Sequence, residues 1–382
     1  MGCMHVLGLF SIQIILLLAL AAETTAKVPA IIVFGDSSVD AGNNNVISTF
    51  LKSNFKPYGR DFEGGLPTGR FCNGRIPPDF ISEAFGLKPA VPAYLDPLYS
   101  ISDFATGVCF ASAGTGYDNA TSSVLSVIPL WKQMLFYKAY QMKLRAYLGE
   151  IQANQIINEG IHMISIGTND FLENYYAFPG GRRSTQYTIS EYENFLAGIA
   201  ENFVRDLYGL GARKISLGGL PPMGCMPLER NTNLMGGREC VQSYNNVAME
   251  FNGKLRKMVT RLNKELPGIN LMFSNPYFIF MQIIRRPSLF GFEVTSMACC
   301  ATGMYEMGYA CAQNSLLTCT DADKYVFWDS FHPTQKTNQI VANYVLLNNG
   351  EKSNTTEERK SAMETFETMY LTQPWKVQPY SL

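Results

Sequence analysis

The sequence predicts an α/β protein in which a parallel sheet is covered by helices on both faces. Short apolar runs recur along the chain and stop at glycine, as at Ala30-Ile31-Ile32-Val33-Phe34, Ile161-His162-Met163-Ile164-Ser165-Ile166 and Lys214-Ile215-Ser216-Leu217. Runs of that length rich in β-branched residues read as buried strands. Between them lie segments of helical period, at 131–148 and at 191–210, where Tyr192, Phe195, Leu196, Ile199, Phe203 and Leu207 fall at helical spacing. Strand alternating with helix implies parallel strands whose crossovers cover the sheet.

The elements follow in order. Residues 1–26 read as a secretory signal: Val6 to Ala22 is almost unbroken apolar sequence, and Thr24-Thr25-Ala26 offers small residues for cleavage, so the mature chain starts near Lys27. No Lys or Arg precedes the apolar run, which keeps an uncleaved anchor as the alternative; no later run is long enough to span a bilayer. The first strand ends at Gly35-Asp36-Ser37-Ser38. Residues 57–78 are rich in Gly, Pro and Arg without a period and form a long ordered loop, of the kind that is usually functional. A helix over 79–85 ends at Gly86, and 104–116 reads as a short strand running into glycines. A helix over 247–266, a strand over 269–273, a last strand over 325–328 and a final helix over 335–347, entered at Pro333, complete the series. No linker divides the chain, so 27–348 is one large domain; 349–382 is a polar tail in which Met363, Phe366, Met369 and Tyr370 would let one short helix dock.

Composition narrows the function. The chain is 47% apolar and 16% charged, against roughly 25% charged for an ordinary soluble domain. A formal net charge of −1 without a basic block argues against nucleic-acid binding, which needs clustered cations. Beyond Cys3 stand eight cysteines: Cys72, Cys109, Cys225, Cys240, Cys299, Cys300, Cys311 and Cys319. An even number behind a signal favours an oxidising compartment, and the spacings lack the paired C-x-x-C units of a zinc site. Cys225 with Cys240 is the favoured disulfide, since they flank a polar loop that a crosslink would restrain. Asn119-Ala-Thr121 and Asn354-Thr-Thr356 fit the glycosylation pattern of a secreted, extracellular or cell-wall protein.

The chemistry starts at Ser37. In an open α/β sheet ligands bind at the carboxyl ends of the strands, so a serine delivered there is a candidate nucleophile; the other reading is an ordinary turn. A serine hydroxyl needs a base, and histidine is the commonest. Of three histidines, His5 lies in the signal and His162 inside a strand run, where a structural role is expected. His332 remains, with Asp329 three residues before it, where a tight turn can set a carboxylate beside the imidazole and orient it. Asn169 follows Gly167-Thr168 at the end of another strand, on the same sheet edge, and its amide could reach the same reacting carbonyl. Gly114, at the end of the second strand, could offer a backbone N–H. One His with one carboxylate falls short of a catalytic zinc set, so no metal is expected.

Taken in order, Gly35-Asp36-Ser37, Gly114, Gly167-Thr168-Asn169-Asp170 and Asp329-Ser330-Phe331-His332-Pro333-Thr334 resemble the blocks of the GDSL-type esterases and lipases of the SGNH hydrolase superfamily, and the plant secreted branch in particular. The resemblance runs from about Val28 to Leu347. It implies a flavodoxin-like, three-layer α/β/α fold, with Ser37 as nucleophile, His332 as base and Asp329 as its partner. It also implies an oxyanion hole from the backbone N–H groups of Ser37 and Gly114 and the side chain of Asn169, with no cofactor. One block departs from the family: Asn-Phe-Ala-Ser-Gly-Gly-Ala-Gly is common there, and this chain has Cys109-Phe-Ala-Ser-Ala113-Gly114-Thr115-Gly116. Alignment favours Gly114 as donor, with Gly116 the alternative.

The expected activity is hydrolysis of carboxylic esters, lipid acyl or acetyl, with a small-molecule or lipid ester as partner. Transfer of the acyl group to an alcohol other than water would use the same acyl-enzyme. A non-catalytic binding protein on the same fold would have no chemical need for Ser37, Asn169, Asp329 and His332 together. The G-x-S-x-G elbow of the other large esterase fold is not centred on Ser37.

Overall fold

The computed structural model describes residues 28–177, 183–313 and 315–349. The expected signal at 1–26, the glycosylation candidate Asn354 and the helix around Met363 to Tyr370 lie outside them. Five strands, β1 (Ile31–Gly35), β2 (Gly107–Cys109), β3 (Ile161–Ser165), β4 (Lys214–Gly218) and β5 (Asn270–Ser274), form one sheet in the order β2-β1-β3-β4-β5. All neighbours are parallel. This is the flavodoxin-like order, and its reversal beside β1 opens a crevice at the carboxyl ends of the strands.

The two-residue period of β1 fixes both layers. Ile32 and Phe34 face one way, where the Phe34 ring lies 5.3 Å from Tyr137 of the Leu130–Leu148 helix and 5.4 Å from Phe203 of the Ile189–Gly209 helix. Ile31 and Val33 face the other way and share a buried cluster with Phe80 and Ile81 of the Pro77–Ala84 helix and Ala342 of the Gln335–Asn349 helix. A strand buried on both faces needs an unbroken apolar run, which is what residues 30–34 supply.

Several elements differ from the sequence reading. The run from Phe104 contributes only Gly107–Cys109 as strand, because Phe104 ends a short helix, Ile101–Phe104; beyond Cys109 the Phe110 and Ser112 N–H groups still donate to the Val33 and Gly35 carbonyls of β1, at 2.8 and 3.0 Å. Helices at Glu150–Glu159 and Tyr277–Arg285 were not legible, the first being mostly polar and the second (YFIFMQIIR) apolar on nearly every side. The strand expected at 325–328 exists as β7 (Tyr325–Phe327), but it pairs with β6 (Val294–Ala298), outside the main sheet. Among the described residues three disulfides join Cys225 to Cys240, Cys299 to Cys319 and Cys300 to Cys311; Cys72 and Cys109 are buried thiols, and burial pushes Cys72 up to about 12. No helix among the described residues is long and apolar enough to cross a membrane.

His162 is wholly buried in β3, with its Nε2 2.7 Å from the Tyr137 hydroxyl, and burial lowers its pKa to about 4. The unfolded chain therefore takes up a proton near pH 6.5 that the folded chain refuses until about 4. Stability from this residue is complete above pH 6.5 and is lost as pH falls through 4. We expect His162→Gln, which keeps a hydrogen-bonding group for Tyr137, to flatten the stability profile between those limits by on the order of 3 kcal/mol. Denaturant unfolding of both proteins at pH 7 and pH 4.5 checks this; parallel profiles would show that His162 ionises freely.

Candidate active site

Three strand ends and one loop assemble the site. At the end of β1, Gly35 has φ 143° and a β-carbon there would strike the Ser165 carbonyl of β3, so only glycine permits this approach. The neighbouring Asp36 N–H donates to that carbonyl at 3.0 Å, continuing the sheet. Gln133, buried in the Leu130–Leu148 helix, accepts from the Gly35 N–H and donates to the Gly35 carbonyl, each at 2.9 Å. Asp36 then closes the turn, its Oδ1 accepting from the N–H and hydroxyl of Ser38 at 2.9 and 2.7 Å. Ser37 is left at the top of the turn, 7% exposed.

The loop after β7 supplies the imidazole. It folds back on itself, with Phe327 bridged to Pro333 and the Trp328 N–H donating to the His332 carbonyl at 2.7 Å. Inside it, Asp329 Oδ1 accepts from the backbone N–H groups of Phe331 and His332 at 2.9 and 2.7 Å. His332 Nδ1 lies 2.8 and 2.9 Å from the two Asp329 oxygens, and His332 Nε2 lies 2.7 Å from Ser37 Oγ. With Nδ1 held as a donor to the carboxylate, Nε2 is the nitrogen left to accept from the serine hydroxyl. The Phe71 ring, from the long loop, stands 4.9 Å from the imidazole and shields it.

The Asp329 carboxylate has one further partner. The buried Tyr58 hydroxyl donates to Oδ2 at 2.7 Å and itself accepts from the Gly308 N–H at 2.7 Å. Both carboxylate oxygens are thus engaged, as a wholly buried ionised group requires.

Gly114 and Asn169 line the same cleft as Ser37 and His332. The Asn169 amide donates to the Thr115 carbonyl at 3.0 Å, which fixes which end of the side chain is nitrogen and leaves its second N–H for another acceptor. Gly116 does not share this cleft lining; a β-carbon there would meet the Asp170 carboxylate. Two buried carboxylates bind these segments together. Asp40 accepts from the N–H groups of Gly42 and Asn43, both at 2.8 Å, and of Ala113 at 3.0 Å, which ties the chain beyond Ser37 to the Gly114 segment. Asp170 accepts from the N–H groups of Tyr117 and Asp118 at 2.7 and 3.0 Å and from the Thr121 hydroxyl at 2.6 Å, tying the Asn169 loop to the same segment. Burial raises Asp40 to about 6 and Asp170 to about 7, against the pull of those hydrogen bonds.

The structure therefore brings together Ser37, Gly114, Asn169, Asp329 and His332, and keeps His162 inside the sheet. Asn119 is exposed at the start of a short helix, Asn119–Val124. Sequence reasoning missed Gln133, Tyr58, Asp40 and Asp170. Tyr58 did lie in the loop marked as functional, and Asp40 and Asp170 stand close in sequence to Ser37 and Asn169, so proximity to a motif was the available signal. Among the described residues, no group of three or more His, Cys, Asp or Glu side chains could hold a metal ion.

The family model for GDSL-like lipase/acylhydrolase matches residues 31–345. Among curated proteins of Arabidopsis thaliana, GDSL esterase/lipase At2g04570 is 67% identical over 342 residues, covering 90% of this chain and 97% of its own length. GDSL esterase/lipase At4g26790 is 64% identical over 330 residues, covering 86% and 93%, and GDSL esterase/lipase At2g42990 is 61% identical over 334 residues, covering 87% and 95%. With matches that span nearly the whole described fold and all four sequence blocks, the chain belongs to the GDSL-like lipase/acylhydrolase family of carboxylic ester hydrolases.

Proposed function

We propose that this chain hydrolyses carboxylic esters through an acyl-enzyme on Ser37, with His332 as general base and acid and Asp329 as its orienting partner. The observation that carries this is the unbroken hydrogen-bond path from Ser37 Oγ through His332 to Asp329. Ser37 Oγ attacks the ester carbonyl carbon while its proton passes to His332 Nε2, and the carbonyl oxygen becomes an oxyanion. The N–H groups of Ser37 and Gly114 and the second amide N–H of Asn169 receive that charge. Collapse breaks the bond to the alcohol oxygen, which leaves with the proton from His332. Water then adds to the acyl carbon, gives a proton to His332, and the acid is released as Ser37 recovers its hydrogen. Asp329 stays ionised throughout, held by Tyr58 and two backbone N–H groups.

We further propose that the chain is made with a signal at 1–26, a hydrolase domain at 27–348 and a tail at 349–382, and that it is secreted with glycan on Asn119 or Asn354. The paired cysteines and the exposure of Asn119 support this. Mass spectrometry of secreted material should find an N-terminus near Lys27 and disulfide-linked peptides; an intact N-terminus with free thiols throughout would refute it.

On nitrophenyl esters, Ser37→Ala and His332→Ala should each lower kcat by about 10⁴ or more, with His162→Ala retaining turnover per folded molecule. Asn169→Ala should lower kcat by about 10²–10³ with KM little changed, because its bond matters in the transition state. A destabilised Asn169 variant with normal kcat would make that residue a turn cap only. Tyr58→Phe leaves Asp329 Oδ2 without its hydroxyl donor, and a kcat about tenfold lower at unchanged KM is expected, from a charged hydrogen bond worth roughly 1.5–3 kcal/mol. An unchanged kcat beside a lower thermal midpoint would confine Tyr58 to a structural role.

A further inference from the structure

The sheet is unequally furnished on its two faces. Toward the Ile189–Gly209 and Gln242–Glu265 helices, β3 and β4 present Ile164, Ile215 and Leu217, all buried in the core. On the opposite face, Ser165, Ser216 and Ser274 stand on β3, β4 and β5. Small side chains there leave unfilled space, and a chamber lies between these serines and Val341, Ala342 and Val345 of the Gln335–Asn349 helix. Ser37 and His332 are part of its lining, and both also line the cleft holding Gly114 and Asn169. The reacting pair is thus shared by two spaces.

The chamber wall has its polar needs largely met from within. Ser38 gives its proton to Asp36, so in its 2.9 Å contact with Ser165 it accepts the Ser165 hydroxyl. Ser216 and Ser274 pair with each other at 2.7 Å. The remaining wall is largely apolar, with Leu220, Pro222, Phe280 and Phe331 among its members. A polar guest would give up hydrogen bonds to water there for few new ones, while an alkyl chain has none to give up and gains by leaving water. Asn338, Val341, Ala342 and Val345 line it from one face of their helix, a span of about 10 Å at 1.5 Å per residue, which matches an extended chain of roughly eight carbons.

We propose that this chamber is the acyl subsite, and that the natural substrate is an ester of an unbranched aliphatic acid of about eight carbons or longer, its alcohol lying on the Gly114 and Asn169 side. This rests on Ser37 being the residue that carries the acyl group.

The test is kcat/KM of the full-length protein on 4-nitrophenyl acetate, butyrate and octanoate. The wild-type value should climb with chain length, by up to about fourfold per methylene. Ser216→Leu fills the chamber from the sheet, and Val345→Phe fills it from the half-buried side of the helix, where added volume is better tolerated. Each should reduce the octanoate-to-acetate ratio at least tenfold. A wild-type ratio near one, or a ratio unchanged in whichever variants fold, including equal loss on both esters, overturns the acyl chamber while leaving Ser37-dependent hydrolysis standing. Wild-type turnover that persists in Ser37→Ala overturns the underlying reading of Ser37 instead.

Discussion

The site depends on one close approach, that of the β1 backbone to the β3 backbone at Gly35. The Ser165 carbonyl occupies the room a side chain would need, and it receives the Asp36 N–H. The chain can turn sharply there while still hydrogen-bonded to the sheet. Gln133 completes the anchoring by pairing with both polar groups of the Gly35 peptide backbone, as a neighbouring strand would. Ser37 is consequently held by the rigid part of the fold, although it sits in a turn.

The other segments are fixed to this point by buried carboxylates. Asp40 joins the Ser37 segment to Ala113, Asp170 joins Asn169 to Tyr117 and Asp118, and Asp329 gathers its own loop around His332. Each oxygen that accepts from backbone N–H groups replaces water it has lost, and hydrogen bonds to a charged group are the stronger kind, about 1.5–3 kcal/mol each. Burial still outweighs them at Asp40 and Asp170, whose acidity is weakened. Geometry at the site is bought with that electrostatic cost, and the arrangement that results is one in which distant loops have few alternative positions.

Much of this was legible in the sequence because it is local. A strand ending in Gly-Asp-Ser, a D-x-x-H spacing and a Gly-Thr-Asn turn after a strand each announce themselves within a few residues, and parallel topology puts the two strand ends on one edge. Tyr58 meets Asp329 across 271 positions and Gln133 meets Gly35 across 98, and no short-range pattern encodes such contacts. The same holds for β6, a half-exposed VTSMA run whose strand character comes from pairing with β7. The serines of β3, β4 and β5 were visible as residues, but the space above them follows only from which helix covers that face.

The adjacent cysteines Cys299 and Cys300 have a consequence at some distance. Their bonds to Cys319 and Cys311 close two overlapping loops of the chain, with sequence separations of 20 and 11, and Gly308 lies within both. Gly308 is the residue whose N–H holds the Tyr58 hydroxyl, and Tyr58 in turn holds Asp329. Among its described residues that stretch has only two short helices, Tyr309–Gln313 and Ser315–Leu317, and the crosslinks add to them in removing the conformational entropy it would otherwise have. The alignment of the carboxylate behind the imidazole is in this way partly a property of covalent topology, set when the thiols are oxidised and before any ester arrives.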